Sequence, residues 1–363
     1  LFSEHKYSWQ TSPIMIGYRQ SLFGYNSLKW DKRIEPVRYQ EAKKSYVETL
    51  ELVSANAINK FFALATAQSN YDIASFNYAN ADTLYRYAQG RYNIGTITEN
   101  EMLQLELNRL TEETNRMNAR IEMDNCMQEL RSYLGIQEER EIRVRVSSRI
   151  PDFSINLNEA LALAYENSPD IQTMKRRKLE SESAVARARA NAGLKADIYL
   201  RFGLTQTADK LPEAYRNLLD QQYVSLSISL PILDWGRGKG QVRVARSNRD
   251  LVYTQVEQNR TDFELNVRKL VKQFNLQTQR VRIAARTDET AQRRNEVARK
   301  LYILGKSTIL DLNASISEKD SARRNYVSAL YNYWSLYYTL RSMTLYDFES
   351  NKLLTEDYNL LIE

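Results

Sequence analysis

The sequence predicts a mostly α-helical protein with a small β part, built from long helical hairpins that occur twice and are accompanied by strand hairpins. Three observations lead there. Glycine and proline number only 11 and 6 in 363 residues, so regular elements are expected to be long and loops few. The stretches YNIGTITENE (92–101) and YILGKSTILD (302–311) each set a glycine between helix-like segments, although a glycine inside a helix costs on the order of 1 kcal/mol against alanine. Short stretches of two-residue alternation, the mark of a strand, come ahead of the long helical ones.

Superposing Gly95 on Gly305 sets an offset of 210 residues. At that offset Tyr92 meets Tyr302, Thr98 meets Thr308 and Glu101 meets Asp311. Further on, Asn115 meets Asn325, Ala119 meets Ala329, and Leu130-Arg131-Ser132 meets Leu340-Arg341-Ser342. Upstream, IGYRQSLFGYNSLK (16–29) lies over LSISLPILDWGRGK (226–239), with Ile16 on Leu226, Tyr25 on Trp235 and Lys29 on Lys239. One offset held without a gap from about residue 14 to 134 marks a duplication.

Taken in order, residues 1–33 read as a partial β segment of repeat one, with a strand from about Ile14 to Leu22 that includes Ile16. Repeat logic leaves repeat one without its leading helix and first strand. The chain starts at Leu1 with neither initiator methionine nor signal peptide, which is expected to reflect a truncated or processed start. Residues 34–135 form a helical hairpin. Pro36 suits a first helical turn, and some 55 residues to about Gly90 would span roughly 80 Å before the chain reverses at Gly95. Residues 136–157, with QEEREIRVRVSSRIPDFS (137–154), read as a linker containing a small strand, and 158–193 as the leading helix of repeat two.

Residues 194–236 give the strand hairpin of repeat two. In ADIYLRFGLTQT, Ile198, Leu200, Phe202 and Leu204 share one face, with Tyr199, Arg201 and Thr205 on the other. In YVSLSISL, Val224, Leu226, Ile228 and Leu230 oppose Tyr223, Ser225, Ser227 and Ser229. Residues 237–343 repeat the helical hairpin, and 344–363 form a C-terminal segment. Apolar positions along these helices are thin, as in Leu265, Leu270, Val271, Phe274, Leu276 and Val281, which points to coiled-coil packing.

Chemistry is hard to place on this chain. His5 is the single histidine, which argues against histidine acid–base work or a multi-histidine metal site. Cys126 is the single cysteine and reads as a packed side chain. The GRGKG run at 236–240 lacks the P-loop pattern and reads as a strand-to-helix turn. An enzyme, a cofactor and a metal are therefore not expected. The net charge of +6 and pI near 9.1 come from 51 basic and 45 acidic residues interleaved along the chain, a pattern of solvated helix faces and not of nucleic-acid binding. With 43% apolar residues and mean hydropathy −0.57 the composition is that of a folded protein. No run approaches the roughly 18 apolar residues of a spanning helix, which leaves β-barrels open. The strand alternation fits a soluble sandwich or a membrane barrel. Thin-seamed helices are poor cover for such a sheet, so lipid is the simpler cover, and several chains would have to close the barrel.

The pieces SLPILDWGRGKGQVRVARS (229–247), LALAYENSPDI (161–171) and the two glycine turns, in this order, resemble the TolC-like outer-membrane efflux proteins over essentially the whole chain. The resemblance implies a homotrimer in the outer membrane of a Gram-negative bacterium. Its helices would form a trimeric periplasmic α-barrel, and its strands a 12-stranded outer-membrane β-barrel. The linker and C-terminal segment would belt the helices. Expected partners are a periplasmic adaptor protein, an inner-membrane efflux pump and outer-membrane lipid, with no nucleic acid. The lipid-facing residues would be Ile14, Ile16, Ile198, Leu200, Phe202, Leu204, Val224, Leu226 and Ile228.

The resemblance further implies that Gly95, Thr96 and Ile97, with Gly305, Lys306, Ser307 and Thr308, are adaptor-docking tips that also close the duct. Asp311 matches an acidic ring at the constriction, and Tyr302 with Glu101 a latch between the hairpins. Two positions depart from the pattern: Ser307 replaces an arginine of a second latch and Ala314 a second ring acid. The residues alone leave Asp311 and Glu101 readable as ordinary acids of a helix N-terminus. A periplasmic adaptor and a coiled-coil scaffold are the competing readings. The first should carry one hairpin and not two, and the second leaves the strands unexplained.

Overall fold

A computed structural model describes residues 8–138, 140–147 and 149–354. His5 and residues 355–363 of the expected C-terminal segment lie outside them. The elements are β1 (Trp9–Phe23), α1 (Ser27–Asn93), α2 (Glu99–Tyr133), α3 (Leu157–Asn167), α4 (Pro169–Ala192), β2 (Lys195–Ala208), β3 (Leu219–Ser229), α5 (Arg237–Ile303), α6 (Ile309–Thr344), and the two-residue strands β4 (Tyr346–Asp347) and β5 (Lys352–Leu353). Helices α1 and α5 are both 67 residues long, and both ends of the pair, like the starts of α2 and α6, keep the 210-residue offset. The chain divides into two compact units, Leu1–Ala42 with Asp170–Thr261, and Lys43–Pro169 with Asp262–Glu363.

The first unit holds an antiparallel sheet in the order β1-β2-β3. Beside it Tyr25 hydrogen-bonds Ser183 at 2.6 Å and lies under the Arg187 guanidinium, 4.6 Å from the ring centroid. Arg176 clamps Glu41 with two bonds of 2.6 and 3.0 Å, and Thr173 donates to the same carboxylate. These bonds, Arg176 first, hold the Glu41 carboxyl below the usual carboxylate range against the opposing effect of burial.

In the second unit the core is built from helix seams. Leu64, Ala67, Met123 and Leu130 form one apolar cluster, on which Ile142 and Val144 of the linker pack. An aromatic cluster joins Phe274 to Phe153, Tyr333 and Tyr337, with ring centroids 5.1 to 6.0 Å apart. Tyr333 donates to the Pro151 carbonyl at 2.9 Å. Arg341 binds Glu51 through Nε at 2.9 Å and Nη2 at 3.0 Å and reaches Asp347 at 3.5 Å.

Four expectations need correction. Helix α1 starts at Ser27 because Asn26 caps it, accepting from the Lys29 amide at 3.0 Å; Pro36 therefore lies inside the helix and not in its first turn. Strand β1 starts at Trp9, since Pro13, which has no N–H to give the ladder, sits in a bulge between Thr11 and Ile14. The leading helix of repeat two is two helices. Ser168 before Pro169 takes the extended conformation that a following proline favours, and Pro169 opens α4. The linker's small strand pairs with nothing among the described residues. Instead the Ile142 and Val144 amides bond the Met127 sulfur and the Gln68 side chain, so side chains of the first hairpin stand where a ladder partner was expected.

Candidate functional site

The turns of the two hairpins are built alike. Gly95 and Gly305 stand at φ +71° and +70°, the left-handed region that glycine enters at no steric cost. In the first turn the Gly95 amide donates to Tyr92 O and that of Thr96 to Arg91 O, both at 2.9 Å. In the second, the Gly305 and Lys306 amides bond Tyr302 O and Leu301 O at 3.0 and 2.9 Å. This paired closure satisfies the last helical carbonyls. The next helix then opens on a reciprocal cap. The amides of Glu101 and Asp311 donate to Thr98 and Thr308 Oγ1, while the carboxylates accept from the threonine amide and hydroxyl.

The expected gate acids are thus placed by the caps. At Asp311 the bonds from Thr308 (2.7 and 3.2 Å) and Ser307 (3.3 Å) all fall on Oδ2. Glu101 uses only Oε2 for its two bonds from Thr98. In each case the second carboxylate oxygen makes no hydrogen bond among the described residues. The Thr308 bonds lead, with Ser307 and the charge of Arg294 adding, in holding the Asp311 carboxyl below the usual range against slight desolvation. No hydrogen bond joins Tyr302 to Glu101 among the described residues. Burial pushes the Tyr302 hydroxyl up, Arg91 opposes this, and the Glu101 charge adds to it, so the three groups stand within electrostatic reach. Gly95, Thr96, Gly305 and Lys306 are exposed, while Ile97 and Ser307 are half-buried.

The strands supply the second feature. The ladder pairs Ile14 with Leu204, Ile16 with Phe202, Ile198 with Leu226 and Leu200 with Val224, and sets Ile228 opposite Ala196. Paired residues share a face, so all nine apolar positions picked from the alternation line one side of one sheet. Ile16, Val224 and Ile228 are 68%, 70% and 67% exposed. The opposite face is polar and aromatic: Arg19 approaches Asp197 at 4.0 Å, and Tyr199 meets Tyr223 with centroids 6.2 Å apart. Gly17 leaves room there for the Tyr199 ring. Exposed aromatic residues mark the ends of the sheet, Trp9 where β1 begins, Phe23 where it ends, and Trp235 shortly after β3.

The sequence profile described as "Outer membrane efflux protein" matches residues 160–344, over half of the chain. The chain belongs to the outer membrane efflux protein family. Its structure is similar to the CmeC outer membrane channel of Campylobacter jejuni, with TM-score 0.74 and 14% identity over 98% of this chain and 80% of that one. It is also similar to the outer membrane protein VceC of Vibrio cholerae (0.68, 15%, 93% and 87%). A third likeness is to the open state of the MtrE outer membrane channel of Neisseria gonorrhoeae (0.59, 14%, 97% and 82%). At these identities the likeness is one of fold. No curated protein matches by sequence. This member of the family is an efflux duct of the outer membrane.

For a member of the efflux protein family, several structured features had gone unread in the sequence. On α1, Tyr71, Tyr78 and Tyr85 recur every seven residues and lie under Arg120, Arg116 and Arg109 of α2, at 5.5, 4.1 and 5.7 Å. Ala67, Ala74, Ala81 and Ala88 form a second seven-residue series and are all buried. Between helices run polar contacts to buried side chains: Asn77 donates to Asp320 at 2.6 Å, Asn295 to Ser315 at 3.0 Å, and the exposed Arg323 to Asp288 at 3.1 Å. The seven-residue recurrences were legible signals. The polar pairs were not, since their partners lie as far apart in sequence as 243 residues.

Proposed function

We propose that this chain is the outer-membrane exit duct of a tripartite efflux or type I secretion system, working as a homotrimer whose periplasmic tips close it. The single-faced sheet is the observation that carries the reading. Three strands leave the apolar face on Ile14, Ile16, Ile198, Leu200, Phe202, Leu204, Val224, Leu226 and Ile228 without a protein cover, and cannot close on themselves. Lipid on that face and strands from two further copies would meet both needs, and a twelve-stranded barrel would take one strand per copy beyond the three described. No helix among the described residues is long and apolar enough to cross a membrane, so the strands are the spanning part on this reading.

The tips take the remaining roles. Gly95 to Ile97 and Gly305 to Thr308 present short, rigid turns to a periplasmic adaptor, behind which an inner-membrane pump supplies the cargo. Asp311, with one oxygen spent on its cap and the other open, would form a ring of three carboxylates about the threefold axis, favouring cations and binding blocking divalent ones. Tyr302 and Glu101 would join the hairpins near that ring.

Conductance in planar bilayers tests this reading. The detergent-purified protein should run as a trimer and form cation-selective channels blocked by divalent ions. Asp311→Asn should weaken both selectivity and block. Because the folded carboxyl is depressed, it stays ionised at neutral pH, and selectivity should fade only as pH drops through that lowered value. Unchanged selectivity and block in Asp311→Asn would remove the gate assignment, and a monomer without channels would remove the duct.

A further inference from the structure

The second unit holds a cavity of about 670 Å³ lined by α1, the linker, α5 and α6, a size within the range of small-molecule sites. Part of its lining is apolar. Ala65, Met123, Val327 and Leu330 are buried there, and Val144 of the linker is half-buried beside them.

The polar part of the lining contains one group short of a partner. The Asp288 side chain is only 7% exposed. Its Oδ2 accepts from Arg323 Nη1 at 3.1 Å and from Gln292 Nε2 at 3.0 Å. Its Oδ1 is withdrawn from solvent and accepts no hydrogen bond. Burying a carboxylate oxygen without a donor costs free energy, which a donor entering the cavity would recover.

The charges lining the cavity decide what kind of donor suits it. Three of the cations are already engaged within the protein: Arg323 with Asp288, Lys319 with Asp320 at 3.3 Å, and Arg143 with Glu141 at 3.5 Å. Arg145 has no partner among the described residues. Neither have the exposed carboxylates of Asp72 on α1 and Glu296 on α5. Unengaged acid therefore outweighs unengaged base even before Asp288 Oδ1 is counted. A metal ion is a poor occupant, since no acidic, histidine or cysteine side chains among the described residues are grouped to hold one. An ammonium group answers both needs, because it carries positive charge and offers three N–H donors. Hydrocarbon attached to it would find the apolar lining.

We propose that this cavity binds a primary amine with an apolar body. The ammonium donates to Asp288 Oδ1, the hydrocarbon part lies against Val327 and Leu330, and Asp72 with Glu296 attracts the charge. None of these residues belongs to the tips or the gate, and the site stands apart from the duct reading.

The test uses the full chain in detergent, with para-fluorophenethylamine as the probe. Its alcohol counterpart and para-fluorophenylacetate serve as neutral and anionic comparators. Fluorine NMR line widths give each affinity, after subtraction of a protein-free micelle blank. The amine should bind saturably, and both comparators about tenfold or more weakly, as expected when a charge-assisted hydrogen bond is missing. Asp288→Asn keeps the shape and should weaken amine binding by a similar factor. Asp72→Asn with Glu296→Gln, both on exposed positions, should weaken it about two- to threefold at low salt, and the difference should fade as salt screens it. Equal affinity for amine and alcohol, tighter binding of the carboxylate, or no saturable binding would overturn the site; in the last case water serves Asp288 Oδ1. So would an Asp288→Asn protein with unchanged circular dichroism that binds the amine as before. If Asp288→Asn does not fold, the exposed double variant decides, and unchanged affinity there overturns the proposal.

Discussion

At their turns, hairpin one (α1 and α2) and hairpin two (α5 and α6) use the same glycine conformation, the same pair of closing hydrogen bonds and the same threonine–acid cap. Along their lengths they part company. The positions of the Tyr71–Arg120, Tyr78–Arg116 and Tyr85–Arg109 contacts become, 210 residues on, Val281 with Leu330, Asp288 with Tyr326 and Asn295 with Lys319. Where one hairpin has an aromatic–cation ladder, the other has a buried apolar pair, Val281 and Leu330, and the buried polar groups Asp288 and Asn295. Reversing a chain within a few residues leaves few backbone solutions, so the duplicated turn could not drift far. A helix flank answers only to what packs against it, and the two hairpins face different neighbours.

The largest test of this contrast lies at matched arginines. Arg341 pairs with the buried Glu51 carboxylate, whereas its counterpart Arg131, equally half-buried, donates to the Glu138 carbonyl. Arg341→Ala should cost about 3–5 kcal/mol by stranding a buried carboxylate, and Arg131→Ala no more than about 1 kcal/mol; thermal unfolding in detergent would rank them. Similar losses would mean that the hairpins have not diverged here. The turns should behave oppositely. Nothing stands within 4 Å of a Cβ added at Gly95 or Gly305, so alanine at either should cost about 1–2 kcal/mol for the left-handed backbone alone, and equally in both, readable from exchange in the flanking helix ends. Unequal costs would break the equivalence of the tips. Smallest is the ladder: Tyr78→Leu should remove about 0.5–1 kcal/mol, and the loss should vanish in a background carrying Arg116→Gln if the cation is its source.

Much of this was legible in the sequence because the duplication multiplies weak signals. One glycine in YILGKSTILD says little, but its twin fixes the turn, the offset and the ends of four helices. The strand faces were legible because a pleat alternates strictly, which is why all nine residues chosen from Ile14 to Ile228 fall on one side. What failed was local competition between signals. Pro36 resembles a helix start, yet the side chain of Asn26 had already supplied one. The alternation in EIRVRV reads as a strand, yet its amides are met by Gln68 and Met127, whose proximity depends on the tertiary fold. Asn77 and Asp320 carry no local pattern at all, since a polar residue on a helix looks solvent-facing until its partner is known.

Strands β1 and β3 lie at the two edges of the sheet, so each keeps a row of peptide groups with no partner among the described residues. In hydrocarbon each such group costs several kcal/mol. On the proposed reading, a solitary copy is ill suited to enter the bilayer, and insertion would proceed together with edge-to-edge joining of strands from further copies. Biogenesis then competes with the same edges joining wrongly in water, where exposed strands template aggregates. If copies join as proposed, crowding at the membrane surface would favour one outcome and accumulation in the aqueous phase the other, so the site of encounter would decide the yield of working ducts.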